Sequence, residues 1–321
     1  MAQSSILFFT DPHNSDTPPR RRKEGYREQI LAKQEFLIES AQKADIVIIG
    51  GDIFHQKKPH KISYFLMNRL LEIYREYGLT YIVPGNHDFD MNPAEIKDNP
   101  LGVLGKLPNV KIIHGGWVNG IYGMDILFKG LGDFEGAKPL NELLRAWQED
   151  QTSIQKDRST TPYNVAVIHD SVTTEKYPYE TVFFDDIEKY ADLFFFGHLH
   201  TWQELGGKIV APGALSRGVL DKDSMDRNVG FAWVSVDTDE RRHVIKGYKI
   251  PVKPPEEVFK VEEYTTEKRL ETIVEGFIQN LNQMSAEGLE ALDVDRAIAL
   301  IEGFEIDEGV KKKAVDILRS L

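Results

Sequence analysis

The chain has 321 residues, 41% of them hydrophobic and 28% charged, with 39 Lys+Arg against 51 Asp+Glu and no cysteine. This balance excludes a disordered or collagen-like chain, and the length points to one large domain with a smaller appendage. The absent thiols exclude disulfides, thiolate zinc sites and cysteine nucleophiles, and a net charge of −12 argues against nucleic-acid binding through a general positive field.

In chain order, short apolar runs rich in β-branched and aromatic residues recur at Ile6–Phe9, Ile46–Ile49, Tyr81–Val83, Val110–Ile113, Val165–Ile168 and Leu193–Phe196. Each reads as a buried strand. Ile6–Phe9 is too short for a signal-peptide core and no apolar stretch reaches membrane-spanning length, so the expectation is a cytoplasmic protein with no membrane partner. Between strands, Tyr26–Ala44 and Ile62–Tyr77 carry apolar residues at helical spacing. Strand and helix alternate, which predicts an α/β layered fold. From Trp117 to Leu131 and from Trp202 to Ile250 the pattern becomes glycine-punctuated apolar runs, read as further, antiparallel strands. Two facing sheets with helices outside accommodate both patterns.

The run Ile250-Pro251-Val252-Lys253-Pro254-Pro255 continues neither a helix nor a central strand. It sets the expected domain organisation: residues 1–250 as the catalytic domain, a linker over 250–256, and 251–321 as a small, mainly helical C-terminal region. That tail is acidic, with 8 Lys+Arg against 16 Asp+Glu from Glu256 onward, leaving 31 against 35 in the larger part. In it Leu270, Ile273, Val274, Phe277, Ile278 and Leu281 form an apolar stripe, and Asp293 and Asp307 stand where two further helices would be capped. The stripe serves either to pack on the main domain or to dock a partner's helix.

The metal-capable residues cluster directly after the predicted strands. Asp11 and His13 follow the first, Asp52 the second through Gly50-Gly51, and Asn86, His87 and Asp88 the third through Pro84-Gly85. His169 follows Val165–Ile168, and His198 and His200 follow Leu193–Phe196 through Gly197. In open α/β sheets, sites form outside the carboxyl ends of strands, and glycines there let the backbone turn sharply beside an ion or phosphate. A lone histidine would more simply be a hydrogen-bonded core residue; repetition at five strand ends points to a site.

Asp-x-His, Gly-Asp, Gly-Asn-His-Asp, His and Gly-His-x-His, in that order, resemble the calcineurin-like metallophosphoesterases over residues 5–250. The resemblance implies a four-layer αββα sandwich and two divalent ions. One would be held by Asp11, His13 and His200, the other by Asn86, His169 and His198, with Asp52 bridging. Oxygen and imidazole donors suit Mn²⁺, with Fe or Zn²⁺ as alternatives, better than Mg²⁺ or Ca²⁺. Two such cations about 3.5–4 Å apart would activate a water and neutralise charge growing on phosphoryl oxygens. His87, beside a ligand but not one itself, is the expected catalyst, donating to the leaving alkoxide or the phosphoryl group, and Asp88 is expected to orient its imidazole.

The flanks narrow the substrate class. Asp52 is followed by Ile53-Phe54-His55 and then Pro59, with no Arg until Arg69, unlike the aspartate-arginine-glycine run of protein Ser/Thr phosphatases. Gly-Asp-Ile-Phe-His with Pro59, and Pro212-Gly213-Ala214-Leu215-Ser216-Arg217 with Ala214 in place of the usual serine, resemble the SbcD-type DNA repair nucleases. That resemblance implies a Mn²⁺-dependent exo- or endonuclease acting on DNA, a homodimer, an SbcC-like coiled-coil ATPase partner, and a role for His55 in cleavage. Helix Ile62–Tyr77 and segment Pro93–Leu107 lie where relatives form the dimer contact, and Arg20, Arg21, Arg22, Lys23 and Arg27 offer a candidate basic rim for a phosphate backbone. The alternative is a stand-alone phosphodiesterase or phosphatase for small nucleotides or phosphate esters.

Overall fold

The computed structural model describes residues 3–23, 25–56, 61–88, 99–130, 139–155, 161–173, 182–203, 207–218, 220, 225, 227–261, 298, 311–312 and 315. The chain divides into two compact units, Met1–Phe259 and Lys260–Leu321. The predicted stripe from Leu270 to Leu281 and the caps at Asp293 and Asp307 lie outside the described residues.

The first unit is built on two sheets. In one, β1 (Gln3–Phe9), β2 (Ile46–Ile49), β3 (Thr80–Ile82) and β4 (Val110–Ile112) run parallel, and the hairpin of β12 (Gly230–Asp237) and β13 (Arg242–Lys249) extends the β1 edge antiparallel. The order is β13-β12-β1-β2-β3-β4. The second sheet has the order β11-β10-β7-β6-β5, from β5 (Gly115–Ile121), β6 (Met124–Lys129), β7 (Tyr163–His169), β10 (Leu193–Gly197) and β11 (Ile209–Val210). Here β6, β7, β10 and β11 are parallel and only the β5–β6 hairpin is antiparallel. A short parallel pair, β8 (Val172–Thr173) and β9 (Val182–Phe183), follows β7.

Strands buried on both faces read as continuous apolar runs rather than alternating ones, and that is how β1, β2, β7 and β10 read. Alternate residues feed two different cores. Ile6, Phe8, Ile46 and Ile48 meet Ile126, Val165, Val167 and Phe195 between the sheets. Leu7, Phe9, Val47 and Ile49 face outward onto helices α1 (Tyr26–Phe36), α2 (Ile38–Lys43), α3 (Tyr64–Glu76) and α4 (Pro100–Leu104). On the far side, Ala166, Ile168, Phe194 and Phe196 pack against α5 (Leu140–Gln155) and α6 (Phe184–Ile187). Helices, sheet, sheet and helices make the four layers of the expected αββα sandwich.

The expected continuous helix Tyr26–Ala44 is broken at Leu37. The carbonyl of Gln34 is taken by the Tyr77 hydroxyl at 2.7 Å and by Leu37 N–H at 3.1 Å, which tightens the turn. The proline-rich run after β13 starts a one-turn helix, α7 (Pro255–Val258), and buried Phe259 closes the first unit. Among the described residues no helix is long and apolar enough to cross a membrane.

Candidate metal centre

Asp11, His13, Asp52 and Asn86 leave the carboxyl ends of β1, β2 and β3, while His169, His198 and His200 leave those of β7 and β10. Both sheets therefore deliver side chains to one shared edge. Backbone bonds zip the turns together: Asp11 N–H to the Gly51 carbonyl (3.0 Å), His13 N–H to Asp52 (2.9 Å), and His55 N–H to Asn14 (3.0 Å). The loop Pro212–Arg217 closes the far side, with Leu215 N–H on the Thr10 carbonyl (2.8 Å), Ser216 N–H on Asp11 (3.1 Å) and Ala214 N–H on His200 (3.0 Å).

This edge is strained. Among the described residues seven non-glycine residues have positive φ, and four are predicted ligands: Asp11 (52°), His13 (47°), Asp52 (48°) and His198 (79°). Left-handed backbone at bulky residues persists only where surrounding contacts enforce it, and it concentrates at functional sites. The glycines admit close approach. A Cβ at Gly85 would stand 2.1 Å from Asp52 Oδ1, one at Gly51 2.2 Å from His169 Nδ1, and one at Gly197 2.1 Å from the Gly50 carbonyl.

The side chains converge as two clusters joined by Asp52. His13 Nε2 lies 3.7 Å from Asp11 Oδ1, and His200 Nε2 is also 3.7 Å from that oxygen. Asp52 Oδ2 sits 3.7 Å from His13 Nε2 and 3.5 Å from His169 Nε2, between the two imidazoles. Asp11, His13 and His200 form one group with ligand atoms within 4.8 Å of one another; Asp52, His169 and His198 form a second, and His13, His55 and His87 a third. Separations near 3.5 Å are too long for hydrogen bonds but match two donors sharing an ion at about 2.0–2.2 Å each.

Three of the ligand candidates, Asp11, Asp52 and His169, use one atom for support and leave another for the site. Asp11 Oδ2 accepts from Thr10 Oγ1 and from His198 N–H, and Asp52 Oδ1 accepts from His87 N–H at 2.8 Å. His169 Nδ1 donates to the Gly50 carbonyl at 2.6 Å, which fixes the ring and leaves Nε2, the nitrogen turned toward Asp52, for a proton or a cation. Asp11 Oδ1, both ring nitrogens of His13, Asn86 Oδ1 and His169 Nε2 are buried without a hydrogen-bond partner. Buried polar atoms rarely stay unpaired, and so many at one point, all oxygen or imidazole nitrogen, form a donor set a divalent transition cation would satisfy.

The electrostatics agree. Burial drives the His13 imidazole well down and the His200 imidazole to about 4, the latter with Arg227 adding to it, so both offer neutral lone pairs. Burial pushes the Asp11 carboxyl up to about 6, opposed by His169 and reinforced by Asp52. Burial alone would depress His169, but the Asp52 and Asp11 carboxylates outweigh it and carry it up to about 9. Carboxylates that favour a proton on that ring also favour a cation beside it.

His55 and His87 stack with ring centroids 5.7 Å apart and planes 15° apart, and both face His13, at 5.6 and 5.0 Å. His87 Nδ1 is 2.9 Å from the His55 carbonyl, which can only accept, so Nδ1 carries the proton and Nε2 is left for other work. Asp88 differs from the expectation that it orients this imidazole. Its carboxylate is buried and accepts from Phe54 N–H at 3.0 Å and Gly85 N–H at 2.8 Å, closing the turn between the β2 and β3 loops. Burial, with Asp52 nearby, raises its carboxyl to about 7.

The basic run is largely spent internally. Arg22 is buried, donates to Gln29 Oε1 at 2.9 Å and lies over the Tyr26 and Phe259 rings; Lys23 Nζ donates to the Glu256 carbonyl; Arg27 pairs with Asp16 (3.0 Å) and Glu28 (2.7 Å). Arg217 likewise turns inward, donating to the Lys253 and Met225 carbonyls. Two supports escaped the sequence reading. Thr10 anchors Asp11, and its place beside a ligand could have marked it. Arg227 donates to the His200 and Ser216 carbonyls, and nothing in its sequence surroundings signals that role.

The chain is similar to purple acid phosphatase PPD1 from yellow lupin (Lupinus luteus) seeds, at 14% identity and a TM-score of 0.50, over 77% of this chain and 51% of that one. It matches a 5′-nucleotidase precursor from Thermus thermophilus at 14% identity and a TM-score of 0.45, covering 86% of this chain and 60% of that one. Pseudomonas putida nuclease MPE matches at 14% identity and a TM-score of 0.31, over 71% of this chain and 83% of that one. The chain thus spans between half and three-fifths of the length of the first two proteins. No curated protein matches the sequence. The model of the calcineurin-like phosphoesterases matches residues 4–202, which hold every predicted ligand, and the chain belongs to that family.

Proposed function

We propose that this protein is a two-metal phosphodiesterase whose substrate is DNA, a nuclease of SbcD type. The observation that carries the two-metal reading is Asp52 Oδ2, placed between the His13 and His169 imidazoles of the two clusters. Asp11, His13 and His200 would hold one ion, Asn86, His169 and His198 the other, and Asp52 both; Mn²⁺ is the expected metal. The ions supply an activated water and positive charge against the phosphoryl oxygens. The chain's own residues do the rest. His87, pinned through Nδ1 on the His55 carbonyl, in its doubly protonated form would present Nε2–H as donor to the leaving oxygen. His55, stacked on His87, extends that face of the site, which supports a diester with groups on both sides of phosphorus. A homodimer and a coiled-coil ATPase partner belong to the same reading.

The inward-turned Arg22 and the internally paired Arg27 favour a second reading, a stand-alone phosphodiesterase for small nucleotides, because a phosphate backbone would find fewer cations at the rim. Incubation of Mn²⁺-loaded protein with linear duplex DNA, single-stranded DNA and a panel of chromogenic diesters and nucleotides separates the two. DNA cleavage exceeding small-ester hydrolysis is expected. Turnover confined to the small esters, with the candidate ATPase present, rejects DNA as substrate.

A further inference from the structure

Directly beyond His200 the structure opens into a cavity of about 510 Å³. It lies on the same edge of the molecule as the metal ligands. β12 pairs antiparallel with β1 in a register that sets Phe8 against Ala232, so the start of β12 lies beside the carboxyl end of β1, where Asp11 emerges. Gly230, the first residue of β12, pairs with Lys249, the last of β13, and both line the cavity. Thr201, the residue after His200, lines it too, and Arg227 joins the cavity to the site by donating to the His200 carbonyl.

The lining has a specific chemistry. Trp202 forms an aromatic wall and remains 36% exposed. Its indole lies over Gly247, where a Cβ would stand 2.6 Å from Cη2, so a side chain at this strand position would have to displace the ring. Arg227, fixed by the His200 and Ser216 carbonyls, and Lys249 supply positive charge, and Asn228 adds an amide that both donates and accepts. Among the described residues no carboxylate lines the cavity, in a chain whose net charge is −12. A partly exposed indole, an amide, a fixed guanidinium and a lysine ammonium beside a phosphoryl-transfer site match one kind of ligand: a planar heteroaromatic ring attached to an anionic ester. The volume lies within the range of about 300–1,000 Å³ usual for small-molecule sites.

We propose that this cavity is a nucleobase subsite, receiving the base carried by the phosphoester under hydrolysis, with Trp202 as its stacking platform. The proposal rests on the phosphoesterase reading and adds to it a preference for nucleotide esters over esters lacking a ring. The base could belong to a free nucleotide or to a nucleic-acid strand.

Calorimetric titration of the Mn²⁺-loaded full chain with thymidine 5′-monophosphate, methyl phosphate, inorganic phosphate and a thymidine tetranucleotide carrying hydrolysis-resistant phosphorothioate linkages tests it. The wild-type protein is expected to bind the nucleotide at least about tenfold more tightly than methyl phosphate, since aromatic stacking of one base is worth roughly five- to 150-fold in affinity. Trp202→Ala should remove that difference while leaving inorganic phosphate affinity unchanged, and Trp202→Phe should keep most of it. Dependence on Trp202 seen with the tetranucleotide alone assigns the base to a strand, and with the mononucleotide alone to a free nucleotide. Failure of both thymidine ligands to bind the wild-type protein more tightly than methyl phosphate overturns the subsite without any variant, and so does binding of both thymidine ligands that a folded Trp202→Ala leaves unaltered. A protein that hydrolyses a chromogenic diester but shows no base preference loses only the subsite. One that binds nucleotide through Trp202 but hydrolyses no phosphoester loses only the enzymatic reading.

Discussion

Asp52 divides its two oxygens between support and chemistry: Oδ1 accepts the His87 N–H, and Oδ2 stands between His13 and His169. Asp52→Asn keeps the shape but replaces one carboxylate oxygen with an amide, so both ions lose a shared anionic ligand. The expected result is a fall in metal affinity larger than the roughly 10- to 100-fold that loss of a mere supporting partner causes, read as loss of bound ions by metal analysis after dialysis. Full retention of two ions would mean that Asp52 does not bridge. His87→Gln makes the complementary prediction. The ring has one nitrogen on the His55 carbonyl and is assigned no coordination, so the variant should keep both metals and lose about 10²–10⁴-fold in turnover, the usual worth of a positioned proton donor. Loss of an ion would make His87 a ligand instead. At this scale the sequence showed which residue types recur after strands, and six of the seven predicted ligands gather in two groups, with Asn86 in the turn that follows β3. It did not show side-chain partners: Asp88 was read toward His87, but its carboxylate is held by the Gly85 N–H three residues back and by the Phe54 N–H, a contact set by loop packing across 34 residues of chain.

The elements that carry these residues are tight turns, and the turns depend on absent side chains. At Gly85 a Cβ would meet both Asp52 Oδ1 (2.1 Å) and Asp52 N (2.5 Å), so the β3 turn would have to move away from the β2 turn. Gly85→Ala is therefore expected to cost about 1–3 kcal/mol in stability, as overpacking does, and to lower metal content by displacing Asp52. Chemical denaturation together with metal analysis checks both parts; unchanged metal stoichiometry would show that the turn does not set the site. Strands such as Ile46–Ile49 were legible because a strand buried on both faces cannot hide its apolar run. The break at Leu37 was not, since it depends on the Tyr77 hydroxyl reaching the Gln34 carbonyl from α3's far end. Arg227 was equally hidden: its tie to His200 spans a loop whose path no local pattern dictates.

Across the whole unit, the layer order followed from strand and helix alternation, while the pairing of β12 and β13 onto the β1 edge required the register itself. The outer helical layer contains a further consequence for the entire fold. Tyr26, Tyr74 and Tyr77 are buried there, with hydroxyls bonded to the His13 carbonyl (2.9 Å), Gln34 Oε1 (2.9 Å) and the Gln34 carbonyl (2.7 Å). Burial raises all three phenols above their ordinary value of 10.0. The folded protein then holds protons that the unfolded chain releases near pH 10, so the stability from these groups is intact below pH 10 and falls as pH rises past it. Each phenol contributes a slope of about −1.4 kcal/mol per pH unit between its unfolded and folded values, and three give about −4. Denaturant unfolding at intervals from pH 9 to 11.5 measures that slope. Other groups titrate in the same window, so the decisive comparison is with Tyr74→Phe, which should be less stable at pH 8 by about 1 kcal/mol for the lost hydrogen bond yet decline about 1.4 kcal/mol per pH unit more gently above pH 10. Parallel declines in the two proteins would mean that Tyr74 ionises as easily in the fold as in the unfolded chain, and that the helical layer admits water to its hydroxyl.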